Sequence, residues 1–182
     1  MAQNAPKTII LAEDEAGLYL QATTTAVWYP IGQTPVIRVS PGREKVCFYG
    51  TVNLLTGQEV AMRSLVMNSE VTAQHLTQLL QTYPDNPILL FWDRARWHRG
   101  PFVEQILKDN PRLEVVFFRV ASPEMNPQEQ VWKATRKAVS HNHCEPRLPE
   151  LIERFEHHLN SNSFPCSFLD HYGYNAICPM FI

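Results

Sequence analysis

A chain of 182 residues with 45% hydrophobic content is long enough to bury a real core, and one ordinary globular domain is expected. Met1 to Thr8 is polar and does not resemble a signal peptide, and no apolar run approaches a membrane span, so a soluble, cytoplasmic protein is expected. The net charge of −2 argues against a dedicated basic nucleic-acid module.

The charge is unevenly placed, however. Arg94, Arg96 and Arg99 form one short basic cluster and Lys133, Arg136 and Lys137 another, and local clusters bind phosphate where the average charge does not. Cys47, Cys144, Cys166 and Cys178 are scattered without a C-x-x-C pair and read as reduced thiols rather than a zinc ribbon or a disulfide scaffold.

In chain order, Lys7 to Glu13 reads as a short buried strand that ends in the acidic triplet Glu13-Asp14-Glu15. Pro30, Gly32 and Pro35 favour a loop before extended structure resumes over Val36 to Val39. Lys45 to Leu55 and Glu59 to Val66, separated by Thr56-Gly57, read as an antiparallel hairpin, so the first third is a β-meander. From a Ser69 cap, Val71, His75, Leu76, Leu79, Leu80 and Tyr83 recur at helical spacing until Pro84 stops them. Ile88 to Trp92 is a continuous apolar run of the kind buried on both faces, and it terminates at Asp93. A helix from Pro101 to Asp109 and a buried strand from Leu113 to Val120 follow. Helices are expected from Pro127 towards Ser140 and from Leu148 to Leu159, whereas Phe164 to Ile182 fits no element. Hairpins followed by alternating helices and strands make an α/β fold, a mixed sheet of antiparallel and parallel strands flanked by helices.

Asp14 and Asp93 both follow core strands, at the sheet edge where ligands collect, and Glu129 near the start of the next helix is able to point back to that edge. Three carboxylates are the hard-oxygen set preferred by Mg²⁺ or Mn²⁺. Two such ions about 3.5 to 4 Å apart activate an attacking hydroxyl and stabilise a leaving oxygen in phosphodiester chemistry, and they relieve the mutual repulsion of the acids. Taken singly, each acid has a plainer reading: Asp14 and Asp93 as strand-end caps and Glu129 as a first-turn acid favoured by the helix dipole.

The joint pattern decides between these readings. The segments L-A-E-D-E, F-W-D-R-A-R-W-H and S-P-E-M-N-P-Q-E-Q-V-W-K resemble, in order, the three acidic motifs of DDE transposases in the bacterial insertion-sequence branch of the mariner superfamily. The third is the most specific, with Met125 in place of the usual Leu and Glu129 and Trp132 in register, and the resemblance runs from about Lys7 through the Leu148 to Leu159 helix. It implies a ribonuclease-H-like fold and a Mg²⁺-dependent endonuclease and transposase. In that reaction water cuts at the transposon end and the freed 3′-hydroxyl attacks target DNA.

Asp14, Asp93 and Glu129 match the catalytic and metal-binding triad. Glu15 and His98 match residues that often accompany the first and second motifs without being primary ligands. The implied partners are transposon-end and target DNA, with a homo-oligomer forming on DNA. Three departures stand out. Arg94 replaces a frequent Asn, and Glu129 follows Asp93 by 36 residues, about one more than the commonest spacing. Relatives also carry an N-terminal helix-turn-helix that reads transposon ends, and a single catalytic domain over residues 1–182 without that region is expected. A silent DNA-binding or assembly remnant, or a host nuclease of the same fold, are the alternatives.

Arg94, Arg96 and Arg99 are candidates for scissile or flanking phosphates, with Trp97 either stacking on an unpaired base or lying in the core. Lys133, Arg136 and Lys137, one or two turns beyond Glu129, are candidates to track the DNA backbone. His141, His143 and Cys144 lack a fourth zinc ligand at recognisable spacing, and His157-His158 and Asp170-His171 fit surface positions better. Trp28, Tyr29 and Gly32-Gln33-Thr34-Pro35 match a similar string in the family and are expected to be structural.

Overall fold

The computed structural model describes residues 7–119 and 125–164. Five strands form one sheet in the order β3-β2-β1-β4-β5. They are β1 (Ile9–Tyr19), β2 (Lys45–Asn53), β3 (Glu59–Ser64), β4 (Ile88–Trp92) and β5 (Leu113–Phe117). The first three are antiparallel neighbours, while β4 lies parallel to β1 and β5 parallel to β4. Four α-helices accompany them: α1 (Ser69–Thr82), α2 (Pro101–Asp109), α3 (Pro127–Thr135) and α4 (Leu148–Ser161). This is the expected mixed sheet covered by helices.

Strand alternation sorts the core into two halves. Ile10, Ala12, Ala16 and Leu18 of β1 pack with Phe48 and Val52 of β2 against Val131 and Trp132 of α3 and Leu151, Phe155 and Leu159 of α4. Leu11, Leu90 and Trp92 pack instead with Leu76, Leu79 and Leu80 of α1 and Val103 of α2. Each face of the sheet is therefore closed by one helical pair.

Four expectations need correction. The acidic triplet does not end β1: β2 pairs with it from Leu11 to Tyr19, so the three acids lie within the strand. Charged residues are rare in buried strands, which made the triplet look like a terminus. The helix α1 is capped by Asn68, whose side chain accepts from the Val71 amide, rather than by Ser69. Residues 36–39 join no ladder. Finally β5 is an edge strand with one lateral neighbour, and Val116 and Phe117 are each 39% exposed, so its apolar run is not buried as expected.

Two further differences are local. The helix predicted towards Ser140 is α-helical only to Thr135 and continues as a π-turn over Arg136–Ser140. Trp28 is fully exposed and Tyr29 about half exposed, so their expected structural role does not take the form of core packing. The Thr56-Gly57 turn forms as predicted, with Gly57 at φ +71°, a conformation that favours glycine. Val120, Cys166, Cys178, Asp170 and His171 lie outside the described residues, as does the first part of the third motif. No helix among the described residues is long and apolar enough to cross a membrane.

Candidate active site

Because successive side chains of a strand point to opposite faces, β1 sends Asp14 one way and Glu13 and Glu15 the other. Asp14 faces α3, where its Oδ2 accepts a hydrogen bond from the Trp132 indole at 3.2 Å. Gly50 lies directly opposite Asp14 on β2. A Cβ at Gly50 would come within 2.4 Å of the Trp132 ring and 2.5 Å of Gln128, so the glycine opens the space in which α3 approaches Asp14.

Asn126 joins the third motif to the first. Its Oδ1 caps α3 by accepting from the Gln128 amide at 3.1 Å, and its Nδ2 donates to the carbonyl of Glu13 at 3.0 Å. Glu129 occupies the third position of α3, and that anchor sets the helix start beside Asp14. Burial and then the neighbouring acids Glu13, Glu129, Glu15 and Asp93 push the Asp14 carboxyl up to about 8. The other two predicted acids are thus both close enough to act on Asp14.

Asp93 follows β4 and stays partly exposed. Its Oδ1 accepts from the Ala95 amide at 2.7 Å and lies 3.1 Å from His98 Nδ1. The His98 contact, opposed by partial burial and aided by the Ala95 bond, holds the Asp93 carboxyl below the ordinary range. Asp93 is therefore ionised where Asp14 tends to keep its proton.

On the other face of β1, His98 occupies a fully buried position in a short 3₁₀ turn over Arg96–His98 and stacks on Trp92 at 4.3 Å with the rings nearly parallel. Its Nε2 lies 3.0 Å from Glu15 Oε1 and 3.3 Å from Glu13 Oε2. Burial opposes a charged ring, yet contacts with Asp93, Glu13 and Glu15 prevail and raise its pKa. Trp97 donates to the same Glu15 oxygen at 2.6 Å, so its indole N–H is spent on holding β1. Burial and Glu15 push the Glu13 carboxyl up to about 8. Sequence reasoning set His98 and Glu15 aside as non-ligands and missed Glu13, Gly50 and Asn126; of these only Asn126, preceding Pro127, carried a local signal as a helix cap.

The basic candidates are not equivalent. The Arg94 guanidinium lies over the Phe117 ring, 5.1 Å from its centre, while Arg96, Arg99, Lys133 and Lys137 are exposed. Arg136 is half-buried beside the end of β1. Among the described residues, only Glu13, Glu15 and His98 bring three metal-ligand atoms within 4.8 Å of one another; the predicted set Asp14, Asp93 and Glu129 is not drawn that close, nor are His141, His143 and Cys144.

Carboxylates suit a hard divalent cation, and the buried Asp14, whose ionised form is opposed by burial and by Glu13, Glu129, Glu15 and Asp93, is the acid that a cation would relieve. A family model for DDE superfamily endonucleases matches residues 10–152, the stretch that carries all three acids. The chain belongs to the DDE superfamily endonuclease family. It is 28% identical over 159 residues to an insertion element IS630 uncharacterized 39 kDa protein of Shigella sonnei, covering 86% of this chain and 46% of that protein. This family chain thus spans about half the length of that relative.

Solved structures of similar fold include a Mos1 mariner paired end complex with Mn, at a TM-score of 0.64 and 14% identity over 85% of this chain and 49% of that one. The catalytic domain of Mos1 mariner transposase matches at a TM-score of 0.53 and 14% identity, over 86% of this chain and 83% of that one. The sheet and its helices are those of a ribonuclease-H-like catalytic domain.

Proposed function

We propose that the chain is the catalytic domain of a metal-dependent DNA transposase, with Asp14, Asp93 and Glu129 as catalytic and metal-binding residues. The observation that supports this most is the place of Asp14 among acids of all three motifs: burial first, and then Glu13, Glu129, Glu15 and Asp93, push its carboxyl up to about 8. Divalent ions held by these carboxylates, Mg²⁺ or Mn²⁺ and two in the active complex, would supply a Lewis acid for the attacking and leaving oxygens.

The protein's own groups do the positioning. Trp132 orients Asp14, the Ala95 amide and His98 orient Asp93, and Asn126 sets the start of the helix that carries Glu129. Arg94, Arg96 and Arg99 near Asp93 and Lys133, Arg136 and Lys137 beyond Glu129 would bind DNA phosphates on either side of the carboxylates. The DNA partners are transposon ends and target. Selection of an end would fall to a recognition region outside this single domain, and the active assembly would be a homo-oligomer on DNA in the bacterial cytoplasm.

A silent remnant would have no reason to keep the acids of the second and third motifs where they oppose ionisation of the buried Asp14, which weighs against that reading. Nicking of supercoiled plasmid in Mn²⁺ tests the activity without requiring end recognition. Wild type is expected to nick and Asp93→Ala to lose the activity. Equal nicking by both, or none by wild type, would overturn the reading.

A further inference from the structure

The pairing of β1 with β4 stops at Ala12, whereas its pairing with β2 continues to Tyr19. From Glu13 onward β1 therefore has no strand along its β4 side. Asn126 occupies the first position of that edge through the Glu13 carbonyl. Further along, between the end of β1 and the π-turn, lies a cavity of about 310 Å³ lined by Gly17, Tyr19, Gln21, Arg136, Ser140 and His141, among others.

Its walls are held in place by the chain on both sides. Thr23 forms a parallel bridge with His141, the Asn142 amide donates to the Thr23 carbonyl at 3.1 Å, and Asn142 and Thr25 exchange two hydrogen bonds at 2.9 and 3.1 Å. Asn142 is the one non-glycine residue among those described with positive φ, at 55°. A π-turn beside a left-handed Asn is the kind of irregular backbone that concentrates at functional sites. The His141 Nδ1 atom is buried and has no hydrogen-bond partner among the described residues. Such an atom calls for a ligand or water to satisfy it.

The cavity has a position relative to the acids. Gly17 is three residues beyond Asp14 along β1, on the Glu13 and Glu15 face, and Arg136 seven beyond Glu129 on the α3 side, each about 10 Å by strand and helix rise, so the cavity opens across the free edge of β1. That separation is about three steps of a DNA strand at roughly 3.4 Å per step. The lining combines a guanidinium for phosphate, the Tyr19 ring folded over Gly17, where an added Cβ would come within 3.0 Å of it, and the edge-reading groups of Gln21 and His141. Its volume is at the lower end for small-molecule sites and suits one nucleotide.

We propose that this cavity holds one unpaired deoxynucleotide of the strand that passes the carboxylates, with its phosphate on Arg136 and its base against Tyr19 and within reach of His141. The assignment rests on the DNA-processing reading above and adds a site at which the strand is gripped away from the cut. It distinguishes Arg136 from its exposed neighbours Lys133 and Lys137, which would meet only the outer backbone.

Titration of the labelled chain with deoxyadenosine 5′-monophosphate, followed by amide and imidazole NMR shifts, tests it without requiring cleavage. Saturable shifts at Gly17, Thr23, Ser140 and His141 are expected, weakened at least tenfold by Arg136→Gln and again by Tyr19→Ala, a half-exposed position. Lys108→Ala, an exposed lysine in the last turn of α2, should leave them unchanged. Shifts located elsewhere, no shifts, or equal affinity for inorganic phosphate would overturn the nucleotide assignment. The shifts are read without metal or cleavage, so failure of the cleavage reading and failure of the pocket give different results.

Discussion

His98 Nε2 lies 3.0 Å from Glu15 Oε1, a contact between residues 83 positions apart, and the opposite nitrogen of the same ring reaches the Asp93 carboxylate at 3.1 Å. One buried imidazole thus links β1 to the residue that follows β4. Removing one partner from a buried charge cluster leaves the others uncompensated, at a cost of roughly 3 to 5 kcal/mol. His98→Ala should lose that much stability by urea denaturation. A loss below about 1 kcal/mol would mean that the bracket is not holding the two strands together.

The acids make stability depend on pH in a definite direction. Asp14 and Glu13 are raised from 3.8 and 4.5 to about 8, so between those limits the native state binds more protons than the unfolded chain. Their contribution is complete below about 4 and is lost as pH rises through about 8. His98, raised above 6.5, adds a loss of the same sign on the alkaline side, and Asp93, lowered from 3.8, opposes it only in acid. Metal-free protein should therefore melt at falling temperature from about pH 5 to about pH 9, and Mg²⁺ should flatten the slope. A melting temperature that rises over this range would contradict the assigned shifts.

Asp14→Asn separates the cost of the acid cluster from its use. Removing one carboxylate from a repelling set should leave the metal-free chain at least as stable at alkaline pH, while cleavage falls on the order of 1000-fold, or about 4 kcal/mol in the transition state. Calorimetry with and without Mn²⁺, alongside the nicking assay, measures both. Loss of folding in the metal-free variant would show that Asp14 is structural.

Gly50→Ala probes the approach of α3 to β1. Its methyl would need the space of the Trp132 ring, Gln128 and Glu59, so overpacking of about 1 to 3 kcal/mol is expected. Because Trp132 donates to Asp14, cleavage should fall by more than the change in folded fraction explains. Activity that tracks folded fraction alone would limit Gly50 to packing.

The strands, helices and acidic motifs were legible because their signals are local. A run such as Ile88 to Trp92 is buried wherever it goes, and Pro127 starts a helix in most contexts. The same local character explains the misreadings. An apolar run does not reveal whether a second strand lies beside it, so β5 looked buried, and three adjacent acids looked like the end of a strand that β2 in fact carries on to Tyr19.

The amino-acid sequence by itself determined which residues are able to form strands and helices and which carboxylates are available for metal chemistry, since periodicity, turn residues and side-chain type are properties of neighbouring positions. Only the tertiary structure decided what surrounds each carboxylate. Glu15 meets His98, Asn126 meets the Glu13 backbone and Gly50 yields to Trp132 across gaps of many residues, and burial with its dielectric and charge effects exists only after those segments pack. That is why Asp14 and Asp93, alike in sequence, hold their protons so differently.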